Sequence, residues 1–208
     1  MSRSVVLDYD GTITERDTLR MALAEFGDRD VVAAADAQLH RGEIELREEI
    51  PMQFATVRAP LDEVVAWLLE HARVRPGFRE FAAEFRPVVI SSGFHELIEP
   101  VLEREGVEVE LHANRVEASP YGWKVDWRYP DDCEVCGESC KRSLLPPGYV
   151  VYVGDGISDR CAALAADRVF ATAGLATYLA ERGTPFEPFS DFHALSQALA
   201  NEIVTPPS

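Results

Sequence analysis

Four short apolar runs, at residues 4–7, 87–90, 149–153 and 168–171, are rich in valine or isoleucine and bounded by turn residues. Most lead toward a helical pattern, which predicts an α/β fold with a parallel sheet and helical crossovers. "GFHELIEPVLEREG" has apolar residues at 94, 97, 98, 101 and 102 and stops at Gly106, a helix with its terminating glycine. "SDRCAALAADR" reads as a further helix started by Ser158 or Asp159, and "YLAERG" and "DFHALSQALANEIV" supply the last two.

Residues 17–75 depart from this alternation. They show no strand pattern, only helical ones: "DTLRMALAEFG", "DRDVVAAADAQLHRG", "EIELREEIPMQFATV" and "LDEVVAWLLEHA". The expected organisation is a core made of residues 1–14 and 76–208, with residues 15–75 an all-helical insertion joined through "VRPG". Residues 107–148 form a second irregular region, with two or three short strands ("VEVELHAN", "RVEAS", "WKVDW") and a cysteine-bearing acidic loop, "DDCEVCGESC".

Composition narrows the classes. The chain has 208 residues, 47% hydrophobic and 27% charged, enough to bury a core and too apolar for a disordered segment. Twenty basic residues against 36 acidic ones give a net charge of −16, which argues against nucleic acid or an anionic membrane as partner. A local basic pocket for one small anion remains compatible with that field. No apolar run approaches the roughly 18–20 residues of a membrane span or forms a signal-peptide core, so a cytoplasmic location is expected.

The chemistry gathers at strand ends. Asp8 and Asp10 follow the first apolar run, and side chains two apart on an extended strand share a face. Two such carboxylates repel unless one is protonated or a cation holds both, and Mg²⁺ suits few carboxylates plus water and phosphate. "YVVYVGDGISD" brings Asp155 to another strand tip and Asp159 to the next helix start. "VVISSGF" ends a third strand with Ser91, Ser92 and Gly93 just before a helix, a seat for an anion. A lysine would balance the charge of a phosphoryl group; Lys141 is the candidate and Lys124 its rival.

In order and placement, "DYDGT", "SSGF", a later lysine and "GDGISD" resemble the four motifs of the haloacid-dehalogenase-like (HAD) phosphatases. The chain is most similar to the branch containing phosphoserine phosphatase, whose helical cap is inserted soon after the first motif. The resemblance implies a HAD-like Rossmannoid core and an Mg²⁺-dependent phosphatase that forms an aspartyl-phosphate from a small phosphorylated metabolite. Asp8 would be the nucleophile, and Asp10 would protonate the leaving alcohol and then activate water. The side chains of Asp8 and Asp155 and the backbone carbonyl of Asp10 would hold Mg²⁺, with Asp159 supporting them directly or through water. Ser91 and Lys141 would bind phosphoryl oxygens; Ser92 stands where the family has a glycine.

Within the family, two features bear on substrate. The branch places a cap-side acidic residue where Asp17 falls, although a helix N-cap is an equal reading of it. Phosphoserine phosphatases grip the substrate carboxylate with basic cap residues, whereas "EEIPMQFATV" has none before Arg58, leaving Arg20 or Arg47 to substitute. The cysteine loop and the tail "LATYLAERGTPFEPFSDFHAL" look more like the methionine-salvage phosphatase acting on 2-hydroxy-3-keto-5-methylthiopentenyl-1-phosphate; phosphoethanolamine/phosphocholine phosphatases are the other relatives of the loop. A homodimer is left open.

Cys133, Cys136 and Cys140, spaced C-x₂-C-x₃-C, need a fourth ligand such as His112 or Asp131 to hold zinc. Reduced thiols packing a loop is the plainer reading, and Cys161, in an alanine-rich helix, reads as core. Two non-enzymes stand as rivals. A phospho-aspartate signalling domain shares the acidic residues, Ser/Thr and Lys but is shorter and lacks the insertion. A zinc-loop binding protein rests on the cysteines alone.

Overall fold

The computed structural model describes residues 3–127, 133–137 and 140–201. Among these, seven strands form one sheet: β1 (Arg3–Leu7), β2 (Val88–Phe94), β3 (Glu110–Glu117), β4 (Lys124–Asp126), β5 (Tyr149–Gly154), β6 (Arg168–Ala171) and β7 (Glu187–Pro188). Their order is β4-β3-β2-β1-β5-β6-β7, parallel throughout except for β4, which runs antiparallel to β3. The chain winds outward from β1 to β2 and β3, then crosses back to β5 on the other side of β1. The carboxyl ends of β1 and β5 therefore meet at the point where the winding reverses, the crevice in which open α/β sheets bind ligands.

The central strands are apolar on both faces because helices cover both. Val5, Leu7, Val89, Val151 and Val153 face α5 (Phe78–Phe85), α6 (His95–Glu105) and α9 (Phe192–Asn201), whose Phe78, Phe81, Ile98, Val101 and Phe192 complete that core. Val6, Ile90, Val150 and Tyr152 point the other way, toward α7 (Arg160–Ala163) and α8 (Ala173–Glu181). This is why no polar alternation is visible in these strands.

Between β1 and β2 the chain forms α1 (Thr18–Phe26), α2 (Arg29–His40), α3 (Leu46–Phe54) and α4 (Leu61–His71). Met21, Leu23, Ile50, Phe54, Val64 and Leu68 from α1, α3 and α4 share a third cluster with Phe94, Leu97, Val116 and Trp123. Trp123 stacks on Phe54 and donates to the Ala59 carbonyl at 2.9 Å, tying these helices to the β3–β4 turn. The turn needs Gly122, whose φ of +128° is left-handed and where a Cβ would stand 2.3 Å from the Ala55 carbonyl oxygen. Entry and exit run side by side: Thr14 bridges Val74, Glu15 N–H donates to Arg73 O, and Arg75 N–H donates to Ile13 O.

Several expected elements differ. The helix read from "SDRCAALAADR" is only a 3₁₀ turn (Ile157–Asp159) followed by the four residues of α7. The Asp167 carboxylate accepts from Val150 N–H at 2.8 Å and Asp167 N–H donates to Val150 O, which draws the chain back into the sheet. "VEVELHAN" and "RVEAS" make one strand, β3, and neither α5 nor the two-residue β7 is among the expected elements. No described helix is long and apolar enough to cross a membrane.

Candidate active site

Asp8 lies one residue past β1, anchored by its N–H to the Val153 carbonyl of β5 at 2.9 Å. Its carboxylate is 3% exposed and meets the Lys141 ammonium, which is 1% exposed and also donates to Asp159 at 2.6 Å. Lys141 begins a 3₁₀ turn (Lys141–Leu144), whereas Lys124 lies exposed on β4, so the structure brings Lys141 to the site and not its rival. Asp155 is beside Asp8: a Cβ on Gly11, which has a φ of +74°, would stand 2.3 Å from an Asp155 carboxylate oxygen. Only glycine fits there.

Asp8, Asp155 and Asp159 each offer a carboxylate oxygen, all within 4.8 Å of one another. Three hard oxygen donors at the mouth of a sheet suit Mg²⁺. The donors are not equivalent, however. Asp159 is fully buried, and its oxygens already accept from Lys141, from Tyr152 Oη at 2.7 Å and from the N–H groups of Asp155 and Gly156 at 2.9 Å each. A carboxylate has about four such sites, so Asp159 is saturated and Asp8 and Asp155 are left to face a cation.

Burial raises Asp8 well above the usual carboxylate range, and Asp159 adds to that, against the pull of Lys141. Burial and Asp159 likewise push Asp155 up to about 6. Lys141 is buried too, yet Asp159 and Asp8 hold it above the ordinary lysine value. One ammonium among three carboxylates leaves a surplus of negative charge, which a divalent cation would offset.

Asp10 does not share a strand face with Asp8. The chain leaves the sheet at once, with Tyr9 O accepting from the N–H groups of Thr12, Ile13 and Thr14. This turn aims Asp10 at the start of α1, where Thr18 donates to it through N–H (2.7 Å) and hydroxyl (2.5 Å). Its other oxygen lies beside Gly93, 3.1 Å from where a Cβ would be, as does Ser91 Oγ. Burial and the nearby Asp17 push Asp10 up to about 7, against the two Thr18 hydrogen bonds and Lys141.

Ser91 and Gly93 belong to the extended end of β2, where pairing with β3 is irregular between Ile90 and Phe94. Ser91 is buried, and its Oγ accepts from Gly93 N–H at 2.9 Å. Ser92 turns its carbonyl to the buried Asn114 side chain at 2.9 Å. Pattern reading missed Asn114, Thr18 and Tyr152, because each is an unremarkable polar residue until the fold brings it to its partner. It also missed Arg75, which donates to the carbonyls of Gly11 and Thr12 and braces the turn after Asp10.

Asp17 is the N-cap of α1, accepting from Arg20 N–H at 2.9 Å. Beyond it runs a polar chain across the helices: Arg20 pairs with Asp36 at 2.9 Å, and Gln53 donates to Asp36 at 2.9 Å and to Glu49 at 3.3 Å. Burial, then a hydrogen bond to Asp36, raise Glu49 from 4.5 to about 7. The folded chain thus holds a proton there that the unfolded chain has lost, so stability falls as pH rises through that window. A Glu49→Gln side chain keeps an N–H donor toward Asp36. We expect it to match the wild type near pH 5 and exceed it by about 1–2 kcal/mol near pH 8 in urea unfolding. Equal loss at both pH values would contradict a protonated Glu49.

Of the cysteines, Cys133, Cys136 and Cys140 are joined by Cys161, which is partly exposed and is not the plain core residue its helix suggests. His112 lies apart on β3, 2.9 Å from Glu110, and Asp131 falls outside the described residues.

Known proteins share this sequence pattern and fold. Residues 5–164 match the family described as haloacid dehalogenase-like hydrolase. The chain is 30% identical to a 2-hydroxy-3-keto-5-methylthiopentenyl-1-phosphate phosphatase of Bacillus cereus (strain G9842), covering 96% of each protein. Its fold is similar to phosphoserine phosphatase from T. onnurineus (TM-score 0.68, 21% identity, 97% and 96% of the two chains). It is equally similar to a phosphoserine phosphatase solved as a phospho-aspartyl intermediate analogue (TM-score 0.68, 16% identity, 95% and 99%).

Proposed function

Belonging to the haloacid dehalogenase-like hydrolases, the chain is a phosphomonoesterase, and we propose that it hydrolyses a small phosphorylated metabolite through an aspartyl-phosphate on Asp8. The observation that carries this reading is the buried contact of Asp8 with Lys141 beside Asp155, at the reversal point of the sheet. The Asp8 carboxylate attacks phosphorus, forming a P–O bond as the ester P–O bond breaks. The leaving alkoxide takes a proton from Asp10, whose raised pKa lets it carry one near neutral pH. Asp10, now ionised, accepts a proton from the water that attacks the phospho-aspartate, which returns Asp8 and releases phosphate. Lys141 and Ser91 hold the phosphoryl oxygens. Mg²⁺, when bound, would neutralise phosphoryl charge, and Asp8, Asp155 and the Asp10 carbonyl would hold it. Asp159 would fix Lys141 and the β5 turn.

Helices α1 to α4 are proposed as a cap over this site, entered and left through the paired segments at residues 12–15 and 73–75. For substrate we propose the class named for the B. cereus relative, a phosphorylated hydroxy-keto compound with an uncharged thioether tail. A second observation supports this choice over phosphoserine. Arg20, one of the two arginines that could replace the missing cap-helix grip, is already paired with Asp36 and Asp17, and Arg58 turns its Nη1 to the carbonyls of Ala55 and Val57.

The test is phosphate release from that enol-phosphate, phosphoserine and phosphoethanolamine, with Mg²⁺ and with chelator. Expected are a kcat/KM for the enol-phosphate at least about tenfold above the others and loss of turnover on chelation that Mg²⁺ restores. Preference for phosphoserine would overturn the substrate assignment, and undiminished turnover in chelator the metal requirement.

A further inference from the structure

The mechanism leaves one cluster unused. Cys133, Cys136, Cys140 and Cys161 place their four sulfurs within 4.8 Å of one another, with Cys133 and Cys161 3.8 Å apart. We propose that they bind one structural zinc ion, which clamps the loop leading to Lys141 onto the helix that follows Asp159.

The spacing is the first reason. Zinc bonded to four thiolates at about 2.3 Å gives a tetrahedron whose S···S edge is roughly 3.8 Å. A disulfide would need about 2.05 Å, far shorter than the separation of Cys133 and Cys161. The loop backbone is the second reason. Gly137 takes a φ of +77° and its N–H closes on Cys133 O at 2.8 Å, a tight turn that returns Cys136 toward Cys133. Val135 N–H donates to Cys133 Sγ at 3.4 Å, the kind of outer hydrogen bond that stabilises a ligating thiolate.

The third reason is where the exposed turn of the loop leads. Glu134, Val135, Cys136 and Gly137 are all exposed, Val135 by 64%. Yet Lys141, the residue after Cys140, is buried and must hold its ammonium against Asp8 and Asp159. Among the described residues 133–137 only Cys133 is buried, and one small thiol covers too little area to order such a segment. A metal bond between Cys140 and Cys161 would, since these residues flank Lys141 and Asp159 in the sequence. A soft, all-sulfur set favours zinc over Mg²⁺, so this site and the all-oxygen site would take different ions.

The test is metal analysis of the whole purified chain, grown with zinc and dialysed against excess Mg²⁺ to clear zinc from the carboxylates. About one zinc per chain is expected, falling at least about tenfold in Cys161→Ser and in Cys136→Ser and unchanged in Asp155→Asn. Cys136 is exposed, so its variant opens no cavity, and circular dichroism will show it folded. Cobalt-grown protein should show sulfur-to-cobalt charge-transfer absorption that both cysteine variants lack. Zinc below about a tenth of an equivalent, iron in its place, zinc kept by both variants, or disulfides within the cluster by mass spectrometry would each overturn the proposal. None of these readouts depends on turnover.

Discussion

Asp8→Asn should abolish phosphate release, lowering kcat by about 10⁴-fold or more, while the protein stays folded. The amide is the same size as the carboxylate but offers no anion to attack phosphorus. Lys141 keeps Asp159 as a partner, so the substitution strands no buried charge. Asp8 is also held well above the usual carboxylate range by burial, so a neutral side chain relieves a strain the wild type carries. Thermal unfolding at neutral pH should therefore show a midpoint equal to or above the wild type. Retention of more than about 1% of activity would remove Asp8 from the nucleophile role.

Lys141→Met should behave in the opposite way and damage both function and fold. Its ammonium is the partner of two buried carboxylates, and an apolar side chain of similar length leaves both uncompensated. Breaking a buried pair on one side costs about 3–5 kcal/mol, and loss of the cation proposed to hold phosphoryl oxygens should lower kcat by roughly 10²–10³-fold. The pH dependence separates this cause from a simple packing defect. Carboxylates buried without a counter-ion take up protons more readily folded than unfolded, so the variant's stability deficit should shrink as pH falls from about 7 to about 5. Urea unfolding at the two pH values measures it, and a deficit independent of pH would argue for lost packing instead.

The two variants probe what was legible to different degrees. Asp8 and Asp155 are readable from sequence because each ends an apolar run and the winding of an α/β sheet places such ends together. Asp10 was readable as a residue and misread in geometry: alternation along a strand holds only while the strand lasts, and this one stops at Leu7. The short α7 shows the same limit, since helical periodicity in "CAALAAD" is overridden by the Asp167 contacts to Val150. Glycines at 11 and 122 carry no mark in the sequence that sets them apart, and only their neighbours show that a Cβ has no room.

By itself, then, the sequence determined the sheet, the helical insertion after the first strand, and the strand-end carboxylates. Apolar periodicity and turn residues are local and act over a few neighbours. Only the tertiary structure decided which lysine enters the site, that Asp159 is saturated by four donors, that Thr18 takes Asp10, and that Cys161 joins the cysteine loop. Lys141 and Asp8 are 133 residues apart in the chain. A contact at that separation leaves no periodic trace in either segment, because it is set by how the strands are ordered and by which buried charge most needs a partner.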